Sequence, residues 1–191
     1  MKRRYYTWQD VDTAANAIMA DLLKSTWRPD YIVGITRGGL PLALLLSHRL
    51  GVRMETLQVS LRDSAGHGSE TNCWMSEDAF GYVFQPDRDD VFGEVKSDPA
   101  AKKNILVVDD INDTGATFAW IKQDWQSSCV PNNPVWDTVW GGNVRFAVMT
   151  ENFSSEFGLV SYYWDTVNKA EEDVWLCYPW EKETWLKRSM E

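Results

Sequence analysis

Hydrophobic positions along this chain alternate between two rhythms. From Trp8 to Leu23 they fall at helical spacing, with Val11, Ala14, Ala15, Ile18, Met19, Leu22 and Leu23 along one face. Asp30 to Ile35 is a short apolar run that predicts a buried strand. The tight turn Thr36-Arg37-Gly38-Gly39 follows, and Leu40 to Leu50 then predicts a helix with proline near its start and Gly51 as its stop. Val52 to Leu61 reads as the next strand, which completes a strand–helix–strand unit. The pattern recurs from Ile105 to about Trp125, and Val144 to Thr150 supplies a further strand. Ile105 to Val108 are apolar without interruption, as suits a strand covered on both faces. This alternation predicts the α/β class, a mostly parallel twisted sheet flanked by helices. Ligands of such sheets lie beyond the carboxyl ends of the strands, where the loops at Arg37 and Asp109 are expected.

Two stretches break the rhythm. Residues 62–103 are rich in Gly, Ser, Asp and Glu, with aromatic islands at Trp74, Phe80, Tyr82 and Phe84. A connection of this length reads as a flexible lid, with Phe80 to Phe84 expected to pair with Val91 to Val95 as an edge hairpin. Ser127 to Gly142 holds two prolines and two glycines and reads as irregular. The expected organisation is a core over 1–150 with the lid inserted at about 62–103, and a small C-terminal hood over 151–191.

Composition narrows the function classes. A chain of 191 residues with 44% hydrophobic content can bury one sizeable core. The formal charge of −9 and the lack of a basic patch argue against nucleic acid as the main partner. Lys2-Arg3-Arg4 lacks the apolar run of a signal peptide, and Leu40 to Leu46 is too short to span a bilayer, so no membrane role is expected. Cys73, Cys129 and Cys177 show no metal-ligand spacing and fit a cytoplasmic, reducing setting. Eleven tryptophans are expected to lie mainly in the core or at interfaces. His48 reads as a helix residue and His67 as part of the loose lid.

The chemistry concentrates in Asn104 to Thr117. An apolar strand ends in three carboxylates, Asp109, Asp110 and Asp113, and a helix then opens with Thr114, Gly115, Ala116 and Thr117. Exposed N–H groups at a helix start, aided by the dipole, make a phosphate site. Asp113 or Thr114 could serve as a helix cap. Capping leaves Asp109 and Asp110 unexplained, because two carboxylates ~5 Å apart repel by roughly 3 kcal/mol at an effective dielectric near 20. Hydroxyl donors or a cation would relieve that repulsion. Few ligands other than a sugar phosphate need both features within one turn of chain. Gly38 and Gly39 allow successive N–H groups to face an anion, and Arg37 adds a cation with bidentate reach.

The segment around Asp109 resembles the phosphoribosyl-pyrophosphate signature of type I phosphoribosyltransferases: an apolar strand, two acidic residues and a D-T-G-x-T loop. Asp113 is similar to the xanthine-guanine and hypoxanthine branch. By that resemblance Asp109 and Asp110 hold the ribose hydroxyls and an associated Mg²⁺, and Asp113 to Thr117 hold the 5-phosphate. Asp113 is also the implied proton acceptor. Arg37, Gly38 and Gly39 resemble the family's pyrophosphate loop, which often carries a non-proline cis peptide before the glycine.

The tail Asp173-Val174-Trp175-Leu176-Cys177-Tyr178-Pro179-Trp180-Glu181 resembles the segment of xanthine-guanine enzymes that stacks on the purine. Trp175 is then the platform, and Leu176 offers backbone groups to the base edge. The branch also places a lysine on the strand after the signature helix. Met149 to Phe153 has none, and Asn152 is the available donor. Ser60-Leu61-Arg62-Asp63 lacks the tyrosine of the family's Ser-Tyr lid pair. The expected activity is transfer of phosphoribosyl from phosphoribosyl pyrophosphate to a purine-like base, with Mg²⁺, in a homo-oligomer. The alternatives are a non-catalytic nucleotide-binding regulator and a transferase with another acceptor.

Overall fold

The computed structural model describes residues 2–59, 61, 69, 72–85, 94–128 and 134–181. In chain order the elements are β1 (Lys2–Tyr5), α1 (Trp8–Lys24), β2 (Tyr31–Thr36), α2 (Leu40–Leu50), β3 (Arg53–Gln58) and α3 (Cys73–Phe80). There follow β4 (Tyr82–Gln85), β5 (Glu94–Ser97), β6 (Ile105–Asn112), α4 (Ala116–Ser128), β7 (Val144–Asn152), β8 (Val160–Val167) and β9 (Val174–Cys177). Short 3₁₀ turns lie at Pro99–Ala101 and Pro134–Thr138.

The centre is a five-stranded sheet in the order β3-β2-β6-β7-β8, with every neighbouring pair parallel. Its strands are apolar runs because both faces are covered. On one face α1 and α2 bury Val11, Ile18, Leu42 and Leu46 against Leu106, Val108 and Met149. On the other, Met75 and Phe80 of α3 and Phe118, Ile121 and Trp125 of α4 pack with Val107, Phe146 and Val148. Local chemistry fixes the helix ends. Thr7 and Asp10 form a reciprocal capping box before α1, with the Asp10 N–H donating to Thr7 Oγ1 at 3.2 Å and the Thr7 N–H to Asp10 Oδ2 at 2.7 Å. Gly51, at φ 67°, ends α2 in the left-handed region.

The predicted α/β architecture is present, with α1, β2 and α2 close to their expected bounds; β6 runs four residues past the expected Ile105–Val108, so Asp109 and Asp110 lie within the strand and not in a turn after it. The irregular stretches differ. Within 62–103, α3 forms and buries Met75, Ala79 and Phe80, so this part of the expected lid belongs to the core. The hairpin is antiparallel but joins Tyr82–Gln85 to Glu94–Ser97, later than the expected Phe80–Phe84 and Val91–Val95 pairing. Gly81, at φ 72°, ends α3 and shifts the strand start. His67 and residues 60, 62 and 63 of the Ser60-to-Asp63 stretch lie outside the described residues.

In the second stretch the turn at Pro134–Thr138 delivers Trp136, Val139 and Trp140 to the core, where the Trp136 and Trp140 rings stack at 5.4 Å. Aromatic mass supplies the burial that hydrophobic periodicity does not announce. β8, within the segment assigned to the hood, joins the central sheet, while β9 pairs in parallel with β1. Lys2-Arg3-Arg4, read only as a basic cluster, is therefore a strand. His48 lies on α2, as expected, and is exposed. Cys177 is free and buried, Cys73 is disulfide-bonded, and Cys129 lies outside the described residues. The cysteine pattern thus gives no support to a reducing compartment.

Candidate active site

Parallel register places the ends of β2, β6 and β7 side by side, with Gly34 opposite Val108 and Asp109 opposite Val148. The β2 end carries the Arg37 loop, which opens with a cis peptide between Thr36 and Arg37. The Gly39 N–H donates to the Ile35 carbonyl at 3.0 Å, which turns the chain sharply into α2. This turn lies against the acidic bend. A Cβ on Gly38 would collide with the Asp110 carboxylate, and one on Gly39 with the Val108 carbonyl. Only residues without side chains permit that approach. Two motifs some seventy positions apart in sequence thereby form one continuous surface, with the Arg37 side chain exposed at its rim.

Near the end of β6, Asp109 is only 9% exposed, and its Oδ1 accepts the Asp110 N–H at 2.9 Å. Burial, followed by the negative charge of Asp110, pushes the Asp109 carboxyl well above the usual carboxylate range. Such a pair favours hydroxyl donors or an incoming cation. Among the described residues no group of three or more His, Cys, Asp and Glu gathers as a metal cage. From behind, the Tyr178 hydroxyl lies 3.3 Å from the Asp110 carbonyl oxygen and 3.1 Å from Thr150 Oγ1. Burial raises the Tyr178 hydroxyl well above its ordinary value, so it acts as a neutral donor.

The next turn forms the mouth of α4. Gly115, at φ 88°, is packed under the segment after β7: an added Cβ would lie 2.7 Å from Phe157 Cβ and 2.8 Å from Ser155 Oγ. The Glu156 N–H reaches the Thr114 carbonyl at 3.2 Å. Thr114 and Ala116 are exposed and Thr117 is half-buried. The first N–H groups of a helix have no acceptor within it and are available to an anion. A buried network supports the turn. Asn112 Nδ2 donates to Glu151 Oε1 and to the Phe157 carbonyl, each at 2.9 Å, and Ser155 Oγ donates to Asn112 Oδ1 at 3.1 Å.

A cavity of about 640 Å³ opens beside this turn, lined in part by Asp113, Thr114, Gly115, Ala116, Asn152 and Lys169. Asp113 Oδ1 lies 2.8 Å from Lys169 Nζ, and the two side chains are 34% and 22% exposed. Asn152 braces both partners. Its Nδ2 donates to the Asp113 carbonyl at 2.8 Å, and its Oδ1 accepts the Lys169 N–H at 3.0 Å and Ser154 Oγ at 2.8 Å. Its carboxamide is thus engaged within the chain. Lys169 was not singled out from sequence. The available signal was a polar Asn168-Lys169 pair just past the last apolar residue of β8, at the sheet end that carries Asp113.

Trp175 and Leu176 are not among the described residues that line this cavity. Trp175 projects from β9 and is 40% exposed, whereas Leu176 is 5% exposed and its side chain belongs to the core. Trp180 stacks on Tyr178 at 5.1 Å, and Tyr178 on Tyr6 at 5.1 Å, so Trp180 closes an aromatic column.

The sequence matches the phosphoribosyl transferase domain family over residues 2–121. No curated protein matches it. Among solved structures, a purine phosphoribosyltransferase from Pyrococcus horikoshii shares 22% identity at a TM-score of 0.58, covering 95% of each chain. A xanthine-guanine-hypoxanthine phosphoribosyltransferase from Helicobacter pylori shares 15% at 0.60, over 98% of this chain and 99% of that one. A hypothetical protein from Neisseria gonorrhoeae with bound ppGpp shares 19% at 0.58, over 99% and 94%. At these identities the likeness is one of fold. A glycine turn seated on an acidic bend, a helix mouth beside it and a family match over more than half of the chain agree, and the chain belongs to the phosphoribosyl transferase family as a pentosyltransferase of the type I fold.

Proposed function

We propose that this enzyme transfers phosphoribosyl from phosphoribosyl pyrophosphate to a 6-oxopurine, releasing pyrophosphate. The observation that supports the reading is the close seat of Gly38 against the Asp110 carboxylate, which joins the Arg37 loop and the Asp109-Asp110 pair in one surface. In this reading Asp109 and Asp110 take the ribose hydroxyls, the backbone from Asp113 to Thr117 takes the 5-phosphate, and Arg37, Gly38 and Gly39 take the pyrophosphate. Asp109 and Asp110 would hold a Mg²⁺ carried by the sugar substrate, and the ion would supply screening of the leaving group's charge. The C1–oxygen bond breaks with its electron pair going to pyrophosphate, and a base nitrogen forms the new bond to C1. Asp113 accepts the proton that this nitrogen sheds. Holding both ends of the sugar fixes C1 toward the base and stabilises the departing anion.

Trp175 supplies a stacking face and Leu176 backbone groups for the base. Asn152 serves the base side by fixing Asp113. A homo-oligomer in the cytoplasm is the expected setting; among the described residues no helix is long and apolar enough to cross a membrane. The test is pyrophosphate release from phosphoribosyl pyrophosphate and Mg²⁺ with a panel of bases. Release with hypoxanthine, guanine or xanthine supports the assignment, and release only with another acceptor moves it elsewhere in the family. The ppGpp-bound Neisseria protein favours one other reading, a nucleotide-binding regulator. Tight nucleotide binding without release from any base would select it.

A further inference from the structure

We infer that Tyr178 is a positioning residue for the sugar side of the site: its hydroxyl holds the Asp110 backbone and so keeps the Asp110 carboxylate in its seat against Gly38. This rests on the sugar-substrate assignment in the transferase reading above and adds to it a group from the far end of the chain. β2 pairs with β6 only as far as Gly34 and Val108, so Asp109 and Asp110 continue β6 with β7 as their strand neighbour among the described residues. The seat has no slack, because a Cβ on Gly38 would meet both Asp110 carboxylate oxygens and the carbon between them. Tyr178 follows β9, which β1 holds in parallel register with Tyr5 opposite Cys177. Its ring is 2% exposed and stacks on Tyr6 and on Trp180, each at 5.1 Å. The hydroxyl is thereby fixed 3.3 Å from the Asp110 carbonyl oxygen and 3.1 Å from Thr150 Oγ1.

Each hydroxyl in this network has one proton to give. The Asp165 carboxylate, 3.1 Å from Arg4, only accepts, and the Tyr6 hydroxyl donates to it at 2.6 Å. Tyr6 therefore accepts from Thr150 Oγ1 at 3.2 Å, and Thr150 in turn accepts from Tyr178. The Tyr178 proton, retained because of burial, is thus shared between Thr150 Oγ1 and the Asp110 carbonyl. Without the Tyr6 hydroxyl, Thr150 is free to donate to Tyr178, and the whole Tyr178 proton goes to Asp110. Without the Tyr178 hydroxyl, the Asp110 carbonyl loses this donor. Two hydroxyls of one network therefore act differently on the sugar side, although both contribute to folding.

The experiment compares Tyr178→Phe and Tyr6→Phe with the parent by calorimetry with phosphoribosyl pyrophosphate and Mg²⁺, by the KM for the base that the parent turns over, and by Tm. Both variants keep the ring stack and lose one hydroxyl. Tyr178→Phe should weaken sugar binding roughly 5–10-fold and leave the KM for the base within about twofold. Tyr6→Phe should keep sugar affinity within about twofold while its Tm falls by about 2–4 °C. Equal weakening by both variants would make the aromatic column a packing element and overturn the inference. Unchanged sugar affinity in Tyr178→Phe, with a parent that releases pyrophosphate, would overturn it and leave the transferase reading standing. A parent that binds the sugar and shows the expected split between variants, yet releases no pyrophosphate with any base, would support the inference and overturn the transferase reading. A parent that neither binds the sugar nor releases pyrophosphate would overturn both.

Discussion

The two halves of the site are built by different means. The half proposed to bind the sugar phosphate is assembled from consecutive residues at the ends of β2 and β6, and its shape is set by backbone: Gly38 pressed on Asp110, Gly39 on the Val108 carbonyl, and Gly115 in the left-handed region. The proposed base side rests on Asn152 and on Trp175 from two separate segments, and the cavity beside Asp113 is shaped by side-chain contacts such as the 2.8 Å Asp113–Lys169 pair. Backbone geometry tolerates almost no substitution, whereas a side-chain cluster can be rearranged while the fold is kept. A family can therefore hold one half fixed and vary the other to change acceptor.

Asp113 sits where the halves meet, and its removal should have the largest effect. Asp113→Asn should lower turnover about 10²–10⁴-fold while the dissociation constant for phosphoribosyl pyrophosphate changes little. Steady-state kinetics with calorimetry of the sugar substrate separates the two quantities. Turnover within a factor of three of the parent would remove Asp113 as proton acceptor.

Gly38→Ala probes the backbone half alone. The new methyl must displace the Asp110 carboxylate, so binding of phosphoribosyl pyrophosphate should weaken about 10–100-fold, in line with the ~1–3 kcal/mol usual for a forced overpacking. The base half should still bind a nucleotide product through its ring, and the far-ultraviolet circular dichroism should be unchanged. Unaltered sugar affinity would show that the loop can move away without loss.

Neighbouring residues of β9 sharpen the base half. Trp175 is 40% exposed, so Trp175→Ala should raise the KM for the base about tenfold, the lower part of the ~1–3 kcal/mol range for a stacked ring, with little change in Tm. Leu176 is 5% exposed and its side chain packs in the core, so Leu176→Ala should instead cost about 2–4 kcal/mol of stability in denaturant titrations. A Trp175→Ala enzyme that lost stability and kept its KM would make the ring a packing element.

The same division governs what could be read from sequence. The central strands and the Asp109–Thr117 turn were legible because contiguous residues carry both the periodicity and the chemistry. Leucine-rich α2 and valine-rich β6 could hardly be placed otherwise. The small sheet of β1 and β9 was not legible, since it pairs the two ends of the chain and Lys2-Arg3-Arg4 has no apolar alternation. α3 was hidden in a polar stretch because only a few of its residues, including Met75, Ala79 and Phe80, face the core. Lys169 escaped for a third reason: the polar Asn168-Lys169 pair marks the end of a strand, but its partner Asp113 lies in a distant part of the sequence, so the contact follows only from the sheet order.

Glu151, beneath the phosphate turn, gives the smallest effect and probes whether the two halves are stiffened from below. It is buried at the end of β7; Oε1 accepts from Asn112 at 2.9 Å, while Oε2 is buried with no hydrogen-bond partner among the described residues. Burial raises its carboxyl from 4.5 to about 7, against the opposing effect of the Asn112 hydrogen bond. Below pH 4.5 both folded and unfolded chains carry the proton, and the stabilising contribution is complete. Between about 4.5 and 7 the unfolded chain ionises while the folded one stays neutral, so stability falls as pH rises and the loss is complete above about 7. Glu151→Gln keeps the acceptor for Asn112 and cannot ionise. Its Tm should match that of the parent near pH 4.5 and exceed it by about 2–4 °C at pH 8, the shift that ~1 kcal/mol produces in a domain of this size. A Tm difference that stayed constant across this range would mean that the carboxyl reaches water, and that the floor of the phosphate turn is looser than its hydrogen bonds imply.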